Sequence, residues 1–256
     1  MNRLSLRSIR SHAGAVLRRL IELRSKGDPL PDIPESDRQT ISSVRSFTMT
    51  SAERIHAVCE AVRYIEKNSI PGAIVECGVW RGGSMMAVAK TLLSMNATAR
   101  KLYLFDTFEG MSPPNESDIS LVGEKASELG EQHTKSEADL FWCYAPLDAV
   151  KQAVLSTGYP KEQIRFVKGR VEETLPREAP EKIALLRLDT DWYESTRHEL
   201  ETLYPRLVRG GVLILDDYGH WQGARKAVDE YIEKNNLKLF LSRTDYTGRV
   251  AIKTFD

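Results

Sequence analysis

Ile183-Ala184-Leu185-Leu186-Arg187-Leu188-Asp189-Thr190-Asp191 and Val212-Leu213-Ile214-Leu215-Asp216-Asp217 follow one plan, a short apolar run closed by carboxylates. Runs this short, ending in acids, read as buried parallel strands with carboxylates at their C-terminal ends. In an open α/β sheet that edge is where ligands bind. Asp189, Asp191, Asp216 and Asp217 would repel one another there unless protons or a cation compensate. A donor set made only of oxygen suits a hard ion such as Mg²⁺ better than zinc.

Three more strands precede these. Ala73–Cys77, Leu102–Phe105 and Ile164–Lys168 are short and apolar, and helical patterns separate them. From Ala52 to Asn68, Ile55, Val58, Cys59, Val62 and Ile65 recur at helical spacing, with Ser51 as N-cap. A helix from Gly78–Ser84 to about Met95 follows the first strand, and Leu147–Leu155 is amphipathic. Helices are expected from about Ser195 to Leu207 and from Gly223 to Asn235. At the C-terminal end, Leu237–Ser242 and Arg249–Lys253 flank the turn Asp245-Tyr246-Thr247-Gly248 and read as a hairpin. The expected fold is therefore α/β, a mostly parallel sheet with a C-terminal antiparallel hairpin. The stretch at about 112–145 has Pro113-Pro114, scattered acids and little periodicity, which marks a lid-like insert.

The turn after the first strand, Glu76-Cys77-Gly78-Val79-Trp80-Arg81-Gly82-Gly83-Ser84, lets a backbone approach a ligand and leaves helix N–H groups free to donate. Trp80 stands where the second glycine of a dinucleotide fingerprint would be, which argues against NAD. Asp106 lies 23 residues beyond Gly83, in the position of a ribose-binding acid. Glu76 is placed to anchor an ammonium group. Together these suit an adenosyl ligand without pyrophosphate, S-adenosyl-L-methionine. Gly169, Arg170 and Val171 follow the third strand, where an adenine edge would lie.

The chain from about Arg45 onward resembles the macrocin O-methyltransferase-like (TylF-like) family of sugar O-methyltransferases. The resemblance is carried by Phe47-Thr48-Met49-Thr50, Val75 to Gly83, Phe105-Asp106-Thr107-Phe108-Glu109-Gly110-Met111, Arg187 to Thr196, and Gly210-Gly211 through Tyr218. It implies a Rossmann-like class I methyltransferase fold with a seven-stranded sheet, S-adenosylmethionine, and a divalent ion, usually Mg²⁺. On that resemblance Asp189, Asp216 and Asp217 hold the ion and Asp191 is the general base. The candidate cofactor contacts are Glu76, Gly78, Trp80, Gly82, Ser84, Asp106, Phe108, Gly169, Arg170, Val171 and Asp189. Homo-oligomers are also implied.

The chemistry needs these groups. A sugar hydroxyl is a poor nucleophile, and coordination to a dication lowers its pKa. A nearby carboxylate, Asp191, can then take the proton. His220, close behind Asp216-Asp217, is a competing base.

Composition is that of an ordinary globular protein, 41% hydrophobic and 28% charged. The 36 basic and 36 acidic residues cancel, which argues against a globally basic nucleic-acid binder. Cys59, Cys77 and Cys143 form no paired motif, so a cytoplasmic setting is expected. No apolar run approaches a membrane span. Arg3–Lys26 holds seven Lys/Arg against one acid, Glu22, and reads as a basic arm. Pro29, Pro31 and Pro34 separate it from a single domain over 41–256. An NAD-dependent sugar oxidoreductase would need a Tyr-x-x-x-Lys pair, and none occurs. A metal-dependent catechol methyltransferase and a silent binding member of the fold are the other readings.

Overall fold

The computed structural model describes residues 30–255, so the basic stretch Arg3–Lys26 and Pro29 lie outside the described residues. Contacts divide the chain into two units, Met1–Gln39 and Thr40–Asp256. In the described part of the first, a turn leads into helix α1, Glu35–Val44.

The second unit is built on a seven-stranded sheet in the order β3-β2-β1-β4-β5-β7-β6. Its strands are β1 Ala73–Cys77, β2 Leu102–Asp106, β3 Ile164–Lys168, β4 Ile183–Leu188, β5 Leu207–Leu215, β6 Ser242–Arg243 and β7 Arg249–Ile252. The first five pair in parallel, while β7 runs antiparallel to both β5 and β6. Every residue of β1 and β4 is buried, as strands covered on both faces require.

One face carries α2 (Ala52–Lys67), α3 (Gly83–Ser94) and α5 (Leu147–Leu155). The spacing of Ile55, Val58, Cys59, Val62 and Ile65 puts all five on the buried side of α2, and Ser51 Oγ accepts the Arg54 N–H at its start. The other face carries α6 (Val171–Glu178), α7 (Tyr193–Leu203) and α8 (Gln222–Lys234). Strand order reverses beside β1, so the C-terminal edges of β1, β2, β4 and β5 open onto one crevice.

Four local expectations need correction. The helix after β4 starts earlier and ends at Leu203, because Pro205 turns Tyr204–Arg206 into a 3₁₀ turn. β5 then begins at Leu207 rather than Val212, its start masked by Gly210-Gly211. Residues 237–241 are not strand: Leu237, Leu239 and Leu241 pack on the core in an alternating pattern, but only Ser242–Arg243 pairs with β7. Helices α1 and α6, and a short α4 at Ala126–Glu131 inside the insert, were not expected. Pro176 within α6 is the kind of residue that argues against a helix in a sequence.

Candidate active site

Backbone packing at the strand ends brings two loops together. Gly78, at φ +79°, lies so close to the Asp189 carbonyl that a Cβ there would meet it at 1.8 Å. Gly83 is as confined against Phe47 and Thr48. Between them, the turn after β1 lines a cleft of about 370 Å³, within the size range of small-molecule sites.

Of the expected cofactor residues, Gly78, Trp80, Ser84, Asp106, Gly169, Arg170, Val171 and Asp189 line this cleft. Glu76, Gly82 and Phe108 do not. Gly82 caps α3 at φ +90°, and a Cβ there would meet Val154, so its glycine serves packing against α5. Phe108 is buried and packs on Phe166. Glu76 lies beneath the floor, where Oε1 accepts from Arg187 and Oε2 is a buried acceptor with no partner. Asp106 is already at work as a loop anchor: Val79 and Trp80 N–H groups donate to Oδ2 (2.7 and 3.0 Å) and Phe108 N–H to Oδ1 (2.6 Å). The Thr107 hydroxyl also approaches Oδ1 at 3.5 Å while donating to the Gly110 carbonyl at 2.6 Å, so Oδ1 is the more loosely held oxygen.

Asp189, Asp191, Asp216, Asp217 and His220 all line the same cleft. Among the described residues, Asp189, Asp216 and Asp217 each bring a carboxylate oxygen within 4.8 Å of the others. The arrangement follows from strand geometry. Asp189 follows the last residue of β4, two positions beyond Arg187, and Glu76 is Arg187's register partner on β1. The Arg187 guanidinium donates through Nη1 to Glu76 and to Asp189 Oδ2 (2.6 Å). Its Nη2 donates to Thr50 Oγ1 (3.0 Å) and Asp216 Oδ1 (2.5 Å). Asp191 sits in the left-handed region at φ +63°, and its N–H donates to Asp217 Oδ2 (3.2 Å). The strand has already ended at Leu188, and this left-handed turn leaves Asp191 lining the same cleft.

Carboxylates outnumber guanidiniums here, with Glu76, Asp106, Glu172, Asp189, Asp191, Asp216 and Asp217 against Arg54, Arg170 and Arg187. Burial pushes Asp191 up to about 7, reinforced by Asp189 and opposed by its hydrogen bond with Asp217. Asp189 and Asp217 are pushed well up, first by burial and then by their acidic neighbours, with Arg187 opposing. Burial lifts Glu76 to about 7 against the pull of Arg187. His220 is held below its ordinary value by burial and by Arg54. Three converging carboxylates, two of which, Asp189 and Asp217, resist ionisation through burial and their acidic neighbours, are the donor set a hard divalent ion would complete.

These shifts fix a sign. A carboxyl whose folded pKa exceeds its unfolded one contributes stability below the unfolded value and loses it as pH rises through the folded value. For Glu76 and Asp191 that window runs from about 4 to about 7. His220 works the other way, but its change is complete by its ordinary value. Chelator-treated protein is therefore expected to melt lower at pH 8 than at pH 6.5, by on the order of a few degrees. Added Mg²⁺ should close the gap. A melting temperature that climbs with pH in chelator would contradict the reading.

Sequence reasoning missed Arg54, Arg187, Thr50 and Glu199 as site residues. Arg187 did leave a signal, an arginine inside an otherwise apolar strand, which can be buried only with acidic partners. Arg54 and Glu199 sit on ordinary amphipathic helices and left none. Glu199 is fully buried, accepting the Thr190 hydroxyl at 2.9 Å.

Comparison with solved structures identifies the class. The O-methyltransferase NovP superposes with a TM-score of 0.71 at 28% identity, covering 82% of this chain and 83% of that one. The protein is thus an O-methyltransferase of the Rossmann-like class I fold. Residues 32–252 match the macrocin-O-methyltransferase (TylF) family model, and the chain belongs to that family. A relative from Streptomyces olivaceus, 8-demethyl-8-(2,3-dimethoxy-alpha-L-rhamnosyl)-tetracenomycin-C 4'-O-methyltransferase, is 34% identical over 79% of this chain and 74% of its own. Mycinamicin III 3''-O-methyltransferase of Micromonospora griseorubida is 28% identical over 89% of this chain and 82% of its own.

Proposed function

We propose that this enzyme moves a methyl group from S-adenosylmethionine to a sugar hydroxyl of a glycosylated natural product, with a divalent ion at Asp189, Asp216 and Asp217. The observation that carries the reading is the convergence of those three carboxylates with Asp191 in one cleft that the glycine turn also lines. The acceptor class is drawn from the relatives, one of which names a rhamnosyl substrate.

S-adenosylmethionine supplies the electrophilic methyl group, so the protein's task is alignment and proton removal. Gly78, Val79 and Trp80 form the cofactor side. Asp106 Oδ1, held by the Phe108 N–H and more loosely by the Thr107 hydroxyl, is the acceptor offered to a ribose hydroxyl, while Glu76 supports the floor through Arg187. A divalent ion bound by the three carboxylates would lower the pKa of a coordinated sugar hydroxyl. Asp191 stands beside them to take the proton. Trp192 and Trp221, in edge contact at 4.9 Å, and Met111 and Phe141 from the insert give the acceptor side an apolar wall.

Calorimetry should show S-adenosylmethionine or its demethylated product binding at least about a hundredfold more tightly than NAD, two decades being about 2.8 kcal/mol. A preference for NAD would overturn the cofactor reading. Turnover with a panel of glycosides and phenols, with Mg²⁺ and with chelator, tests the rest. Activity on catechols alone would move the enzyme to a phenolic acceptor.

A further inference from the structure

We propose that Arg54 is a displaceable counter-ion of the carboxylate cluster, sitting on Asp216 until a divalent ion binds and then held by Asp245. The inference rests on the metal reading above and concerns what the chain does when that ion arrives.

Asp216 has both oxygens engaged by guanidiniums, Oδ1 by Arg187 at 2.5 Å and Oδ2 by Arg54. A divalent ion among Asp189, Asp216 and Asp217 would be in short-range repulsion with a guanidinium on the same carboxylate. One of the two arginines must therefore yield. Arg187 has nowhere to go: it is buried between β1 and β5 and also serves Glu76, Asp189 and Thr50. Arg54 reaches in from α2 at the edge of the cleft, with its side chain 11% exposed. It already holds a second carboxylate outside the cluster, its Nε donating to Asp245 Oδ2 at 2.9 Å.

Asp245 is built to stay in place. Ser51 Oγ donates to Oδ2 (2.8 Å), and the Thr247 and Gly248 N–H groups donate to Oδ1 (2.9 and 2.7 Å). The hairpin turn also pins the stem of Arg54, since a Cβ on Gly248 would meet Arg54 Cδ at 2.8 Å and Cγ at 3.0 Å. The stem is thus fixed while the guanidinium tip spans two carboxylates, one inside the cluster and one outside it. Ion binding exchanges the first contact and leaves the second.

The test is calorimetric titration of the full-length protein with MgCl₂ alone, for wild type, Arg54→Met and Asp245→Asn, with thermal melts to verify folding. Arg54→Met should bind Mg²⁺ about tenfold more tightly or better, the scale on which residues around metal ligands change affinity. Asp245→Asn should bind more weakly by a similar factor, because Arg54 then has Asp216 as its remaining carboxylate. The opposite signs keep the test decisive if one variant misfolds. Mg²⁺ binding to wild type, with unchanged or weaker binding to folded Arg54→Met, overturns the inference alone and makes Arg54 an orienting partner of Asp216. A folded Asp245→Asn that binds as wild type or more tightly also overturns it. Binding to neither wild type nor Arg54→Met overturns both the inference and the metal reading.

Discussion

Replacing Asp191 with asparagine is expected to lower turnover by about 10²–10⁴-fold, the usual scale for loss of a general base. Binding of S-adenosylmethionine and of Mg²⁺ should stay close to wild type, because the asparagine keeps the backbone N–H that Asp217 accepts. Added metal should not recover the loss. Asp216→Asn is the contrast: it removes a charge from the three-carboxylate cluster, so its loss should shrink as Mg²⁺ is raised. The pH profile gives a second readout. A base raised to about 7 by burial produces a rate that climbs with pH through a limb near or below that value, the bound ion drawing it down. Asp191→Asn should erase the limb. A variant with near-full activity and an intact limb would transfer the role to His220, which lines the same cleft.

The second large effect concerns stability. Arg187→Leu leaves Glu76, Asp189 and Asp216 without the guanidinium that joins them, in a floor where Arg187 and Glu76 are almost fully buried. Removing one partner from a buried ion network costs about 3–5 kcal/mol. Urea denaturation at pH 7.5 should register a loss of that order, and acidification toward pH 6 should recover part of it as the carboxyls take up protons. A loss below about 1 kcal/mol would mean that the network's charges are screened by something other than Arg187.

Much of the sheet was readable because β1, β2, β4 and the second half of β5 are short, largely apolar runs ended by glycine or acid, and the buried face of α2 follows from strict helical spacing. The carboxylate cluster was readable for the same reason, since strand ends in this topology share one edge. Three features escaped because long-range contacts decide them. Leu237, Leu239 and Leu241 alternate like a strand, yet their partner is the core rather than a neighbouring strand. Glu76 has the right position for a ligand anchor, but its register places it opposite Arg187, beneath the floor. Arg54 is one polar residue among several on α2, and only the folded hairpin brings Asp245 to it.

The insert between β2 and α5 is fastened to this scaffold by hydrogen bonds to the segments that follow β4 and β5. Trp192 Nε1 donates to the Ser112 carbonyl at 2.8 Å, and Tyr193 N–H to the buried Asp118 at 2.8 Å. Ser120 and Trp221 share an antiparallel bridge. Met111, Leu140 and Phe141, by contrast, present side chains to the cleft from the same segment. Met111 and Phe141 also pack against the cluster of Trp192, Trp221 and Ala224, so these two residues serve attachment as well as the cleft. For protein engineering this singles out Leu140, which lines the cleft outside that packing, as the position where variation redraws the cleft while the anchors, the carboxylates and the glycine turn keep their register.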